Sequence, residues 1–180
     1  MNFLQSTTRW AVALAMMSLL AVGAQAQGIA HRRVVRRNAQ GGITTSRGTA
    51  ARGPNGGAMV RGRVTKTDGQ GNLNTASGAA YRGPNGGTAS RHGNTQVNAD
   101  GSATRTGSMQ ASGANGTVQS TGSYQRSADG SASAQRNTTA TSSKTGDTYT
   151  GQTTWTKGQG IQHTGTCTDA NGNTIVCPHK

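Results

Sequence analysis

The chain has 180 residues and a formal net charge of +13, with 18 Lys and Arg against 5 acidic residues. Only 3% of its residues are aromatic, while 28 are glycine. This excludes a conventional enzyme-sized apolar core, since few large side chains are present to offset a backbone ordering cost of about 1–2 kcal/mol per residue; composition alone favours disorder.

The first predicted element is a leader. Arg9 supplies a positive start, Trp10 to Val22 reads WAVALAMMSLLAV, and Ala24-Gln25-Ala26 is a small-x-small cleavage pattern. The apolar run is shorter than the roughly 20 residues of a membrane span. Residues 1–26 are therefore expected to be a cleaved signal helix. The mature chain then starts at Gln27, has no transmembrane span, and is exported to the periplasm, cell surface or extracellular space. Removing the leader takes Phe3, Trp10 and most of the leucines, and lowers the charge by one, to +12.

Residues 27–50 are expected to be a basic, partly disordered N-terminal arm. His31-Arg-Arg-Val-Val-Arg-Arg37 is the densest charge cluster, in a stretch without period-two alternation. Arg32, Arg33, Arg36 and Arg37 are candidate polyanion-binding residues, able to give salt-sensitive, sequence-independent affinity by counterion release. Lipopolysaccharide, acidic polysaccharide and extracellular DNA are the partners this charge fits. Arg61, Arg63, Arg82, Arg91, Arg105, Arg126 and Arg136 extend the basic character downstream. The alternative is that the charge keeps a polar sheet soluble and blunts edge pairing.

Residues 51–160 form a repeat region rich in Gly, Ser, Thr and Asn. RGPNGG stands at Arg52–Gly57 and again at Arg82–Gly87, and turn signals recur near 55, 69, 85, 100, 115, 129, 146, 158 and 171. The spacing is close to fifteen. Asn-Gly and Asp-Gly pairs point to type I′ hairpin turns, which need positive φ at both central residues. The intervals alternate with period two: Ala103, Arg105, Gly107, Met109 and Ala111 share one face and Ser102, Thr104, Thr106, Ser108 and Gln110 the other. Mid-strand glycines (Gly62, Gly78, Gly93, Gly107, Gly122, Gly151, Gly165) are expected to line up as a crease across a sheet. The fold class is thus all-β: a repetitive antiparallel meander of about fifteen residues per strand-plus-turn, or a β-solenoid-like sheet.

Residues 161–180 are expected to be a C-terminal hairpin with tip Asp169-Ala-Asn-Gly-Asn173. A loop centred on Gly172 would set Cys167 directly opposite Cys177, and in an exported chain such a pair reads as a disulfide. A metal site from His163, Cys167, Cys177 and His179 is the alternative, with ligand types zinc accepts but an unfamiliar spacing.

Other chemistry finds little support. All five acids fall in expected turns, away from any cleft that could pair two of them. RGPNGG is not followed by the Lys-Ser or Lys-Thr of a phosphate loop. Single Asp-Gly turns lack calcium-loop ligand density, no motif for sequence-specific nucleic-acid binding is present, and the aromatics are too few for a stacking platform. No face is apolar enough for an outer-membrane barrel. No cofactor is expected.

In composition, residues 51–160 resemble curlin-type amyloid fibre subunits. They differ in repeat length, Arg content and Asp-Gly/Asn-Gly punctuation, and no residue role is carried across. The first expectation is an exported, non-enzymatic structural or adhesive protein of a bacterial-type cell envelope or extracellular matrix, self-associating through polar strands. The alternatives are a monomeric polyanion-binding module and a largely disordered secreted chain.

Overall fold

The computed structural model describes residues 28–177. The expected leader and His179 lie outside the described residues. Ten antiparallel strands and one short closing strand run in sequence order: β1 (Gly28–Arg37), β2 (Ile43–Arg52), β3 (Ala58–Thr67), β4 (Leu73–Arg82), β5 (Thr88–Val97), β6 (Ala103–Gly113), β7 (Gly116–Arg126), β8 (Ala132–Ser142), β9 (Thr148–Thr156), β10 (Gly160–Thr168) and β11 (Thr174–Ile175). They make a single eleven-stranded meander that does not close on itself. The solenoid alternative is not formed, because each strand pairs in-plane with its sequence neighbours.

The fifteen-residue unit is a strand of about ten residues and a tight turn. Turns begin at Asn38, Gly53, Asp68, Gly83 and Asn98, each fifteen residues after the last. Their chemistry differs from the expectation. Type I′ turns are not used: among the described residues only glycines have positive φ. At Gly53-Pro-Asn-Gly-Gly57, the Gly56 N–H donates to the Gly53 carbonyl at 3.3 Å and the Gly53 N–H to the Gly57 carbonyl at 2.8 Å. Only Gly56, with φ of 81°, is left-handed. This is a type I turn with Pro at its second position, closed by a glycine bulge, and a three-residue loop needs glycine only there.

Asp and Asn carboxyl or amide oxygens fasten these turns to their own backbone. Asp68 Oδ1 accepts from the N–H of Gln70 (2.8 Å) and Asn72 (3.1 Å). Asp169 Oδ1 does the same for Asn171 (2.9 Å) and Asn173 (2.8 Å). Asn38 Oδ1 accepts from Gln40 (3.1 Å) and Gly42 (2.9 Å).

That last turn corrects the expected N-terminal arm. Residues 28–37 are strand β1, paired from Gly28↔Arg52 to Arg37↔Ile43. Asn-Ala-Gln-Gly-Gly carries no Asn-Gly pair, yet Asn38 closes it, and Val34 and Val35 favour extended backbone. The borders at 50 and 160 are likewise not breaks in the sheet: β2 crosses the first, and β10 pairs with β9 from Gly160↔Thr156 onward.

Almost nothing is interior. Val60 and Cys167 are the buried apolar side chains among the described residues, with Ser120 the buried polar one. The two surfaces are nevertheless unequally sheltered. In β3 the even-numbered residues around Val60 are the less exposed, whereas in β7 the shelter lies on the opposite surface, with Val118, Ser120, Gly122 and Tyr124. The glycines follow this exchange. Gly48, Gly62 and Gly78 face each other on one surface; Gly93, Gly107 and Gly122 face each other on the other. Between them the register pairs Gly78 with His92, so the expected single crease is two offset ones. A third group, Gly151 and Gly165, lies beneath the Tyr149 ring: a Cβ at Gly165 would stand 2.8 Å from Tyr149 Cε2.

Candidate functional site

The pairing register assigns every strand residue to one of two faces, because directly paired residues point the same way and neighbours in a strand alternate. On the first face, β5 to β10 carry almost only Ser, Thr, Asn and Gln. One row reads Ser90, Gln110, Gln119, Thr139, Thr150 and Thr166; the next reads His92, Ser108, Thr121, Asn137, Gln152 and Thr164. Side chains join across it: Thr141 Oγ1 lies 3.0 Å from Thr148 Oγ1, and Gln152 Nε2 donates to Asn137 Oδ1 at 3.3 Å. Two hollows, of about 210 and 410 Å³, are lined largely by these residues, among them Ser133, Gln135 and Thr154 in the smaller and Ser90, Gln110 and Thr117 in the larger.

The second face is cationic and apolar. It holds Tyr81, Tyr124, Tyr149, Trp155, Met59, Met109, Leu73 and the described isoleucines. It also holds nine arginines and no acidic residue. At the β1 end of this face, midway along the strands, Arg33 pairs with Arg47, and Arg47 with Arg63, so three guanidinium-bearing residues stand directly opposite one another on consecutive strands. All three are exposed. Arg61 and Arg91 belong to the adjoining row on one side, on either side of Ala79. On the other side run Thr45, Thr65, Thr75 and Thr95, with Thr65 and Thr75 hydroxyls 3.1 Å apart. Beyond Ser77 the central row continues as Gly93, Gly107 and Gly122, then Arg136, whose Nε donates to Ser120 Oγ at 2.8 Å.

Strand alternation divides the four arginines singled out from the sequence. Arg33 and Arg37 are on the cationic face; Arg32 and Arg36 are on the opposite one. They therefore do not form one patch. Arg47, Arg61 and Arg63, on neighbouring strands, join Arg33 instead. The missed signal is a symmetry: positions 33 and 47 are mirrored about Gln40, and 47 and 63 about Asn55, the centres of the first two turns.

Every aspartate lies in a turn, outside both faces. The side chains of Asp68, Asp100, Asp129 and Asp169 are engaged locally. Asp68 and Asp169 have their pKa lowered chiefly by the Asn72 and Asn173 side-chain amides, Asp100 by the Ser102 side chain, and Asp129 by the Ser131 backbone N–H.

Cys167 and Cys177 form a disulfide with Cα atoms 5.2 Å apart. They are not ladder partners as expected. Cys167 pairs with Ile175, so the hairpin is centred on Asn171 rather than Gly172, and Cys177 reaches back from beyond the end of β11. With both sulfurs bonded to each other, the alternative metal set of His163, Cys167, Cys177 and His179 loses its thiolate ligands. His163 has other partners: Nε2 lies 2.9 Å from the Tyr149 hydroxyl and Nδ1 2.8 Å from Thr153 Oγ1. The disulfide is compatible with an oxidising, exported location. No known protein-family model, characterised protein or solved structure matches the chain.

Proposed function

We propose that this is an exported, non-enzymatic structural or adhesive protein of a bacterial-type cell envelope or extracellular matrix. The observation that carries the reading is the register itself, which spreads the chain into a sheet with two chemically unlike open faces and almost no interior. A chain folded this way offers area rather than a cleft, and area suits multivalent adhesion.

Self-association would run through the uncharged hydroxyl and amide face of β5 to β10, stacked against the same face of another copy. Rows of Ser, Thr, Asn and Gln can interdigitate and exchange hydrogen bonds without opposing charge. The β1 edge is less suited: it carries Arg32, Arg33, Arg36 and Arg37, a charged edge of the kind that resists strand addition, while at the other edge β11 covers Cys167 and Thr168 of β10. Sedimentation and negative-stain microscopy of oxidised mature chain should show association that persists at high salt and is lost when Gln119, Thr121 and Thr139 are changed to Lys. A monomer at high concentration would overturn the reading.

A second reading, a polyanion-binding module, is favoured by the acid-free arginine row on the opposite face. The two readings are compatible, since they use different faces.

A further inference from the structure

We propose that the Arg33–Arg47–Arg63 row is the binding site for a linear acidic polysaccharide, a polyuronide-type chain lying across the strands. This rests on the polyanion-binding reading and assigns its site and ligand class.

Three arginines directly opposite one another on consecutive strands oppose folding, because like charges in cross-strand pairs repel. No acidic residue stands among the described strand residues of their own face, so no carboxylate of the sheet offsets the repulsion, and a bound anion would. The row runs perpendicular to the strands, so the backbones that carry the three arginines are about 4.7–4.9 Å apart. An extended polyuronide carries carboxylates along its whole length, so one chain lying along the row can reach more than one of the three flexible guanidinium groups. Guanidinium and carboxylate match as a bidentate pair.

The surroundings fit a sugar chain better than the other polyanions. The hydroxyls of Thr45, Thr65 and Thr75 flank the row and can bond sugar hydroxyls. Further along, Gly107 and Gly122 leave the floor free of side chains, with Tyr124 in the adjoining row as a surface for a sugar ring. A nucleic-acid duplex winds its phosphates around a cylinder and leaves a straight row within a few positions. A lipid surface calls for apolar groups to insert, whereas the same-face neighbours of the three arginines are His31, Thr45, Thr49, Arg61 and Thr65, with Val35 the one apolar side chain among them.

The test is binding of oxidised mature chain to polygalacturonate across a salt series, by titration calorimetry. The variant R33K/R47K/R63K keeps the charge but loses the bidentate fork. R33Q/R47Q/R63Q removes the charge, and R32Q/R36Q/R52Q removes an equal charge from the opposite face. The proposal expects at least about a tenfold loss for the Gln row variant, a smaller loss for the Lys variant, and near wild-type binding for the opposite-face variant. Equal losses for the two Gln variants would show diffuse charge attraction and overturn the site, while leaving polyanion binding standing. Unchanged binding by the Lys variant would overturn the bidentate match without depending on how the Gln variants fold. Tighter binding to a DNA duplex than to polygalacturonate would overturn the ligand class, and no binding to any polyanion at low salt would end the polyanion reading itself.

Discussion

Replacing Tyr149 tests how a sheet without an interior holds its glycine-rich strands. The ring covers Gly151 and Gly165, where an added Cβ would clash with it, and its hydroxyl meets His163 Nε2 at 2.9 Å. Tyr149→Phe removes only that hydrogen bond, worth about 0.5–1.5 kcal/mol, and the lower end applies because the bond is exposed. Tyr149→Ala also removes the ring. Deleting a fully buried aromatic costs about 3–5 kcal/mol; for a half-exposed ring about half of that, near 2 kcal/mol, is expected. The corresponding change in amide exchange is roughly thirtyfold, at 1.4 kcal/mol per factor of ten. Native-state hydrogen exchange should show this acceleration in β9 and β10, with β2 to β4 unchanged, because each strand contacts only its neighbours. Equal effects of Phe and Ala would refute the role of the ring over the glycines. Equal acceleration in β2 to β4 would refute nearest-neighbour stability.

Three further outcomes follow from the turns and the disulfide. Asp68, Asp100, Asp129 and Asp169 have pKa values below the ordinary 3.8, so their contribution is present above that pH and is lost as pH falls through the lowered folded values; the melting temperature should hold through neutral pH and fall below 3.8, less so in Asp68→Asn, where an amide oxygen can take the same backbone bonds. Reducing the disulfide, which spans a sequence separation of 10, should destabilise β11 by about 2.7 kcal/mol in the chain-entropy treatment, read as faster exchange confined to the amides of residues 167–175. Gly42→Ala would drive a Cβ into the Thr67 carbonyl, whereas Gly28→Ala meets open space; the first should free β1 from β2 by about 1–3 kcal/mol, the cost of leaving such turn bonds unmade, and the second should change nothing in exchange or limited proteolysis.

The sequence made the strands legible because two periods coincide in it, the alternation within each strand and the fifteen-residue recurrence of Gly with Asn or Asp. Every turn position expected from 55 to 171 is a turn in the structure. The turn type was not legible from dipeptides, since Asn55-Gly56 fits a two-residue loop as well as the last two positions of a three-residue one. The first turn was missed because Asn38 and Gly41 are separated, which hid β1 and left its arginines looking like a loose cluster. The disulfide partners were readable from their number and spacing, but the ladder beside them was not: a one-residue difference in hairpin centre replaces Cys177 with Ile175 opposite Cys167. The arginine row depends on the combined register of two hairpins, and no local motif announces it. Its polar counterpart on β5 to β10 was half visible, as the Ser and Thr phase of the alternation.

The most direct test of a chain ordered by its strand ladder rather than by a core is residue-resolved hydrogen exchange on the oxidised protein. Protection should be strongest for inward-bonded amides of the central strands, such as β5 to β8, and should decline stepwise toward β1. Uniformly unprotected amides from 28 to 177 would contradict the account.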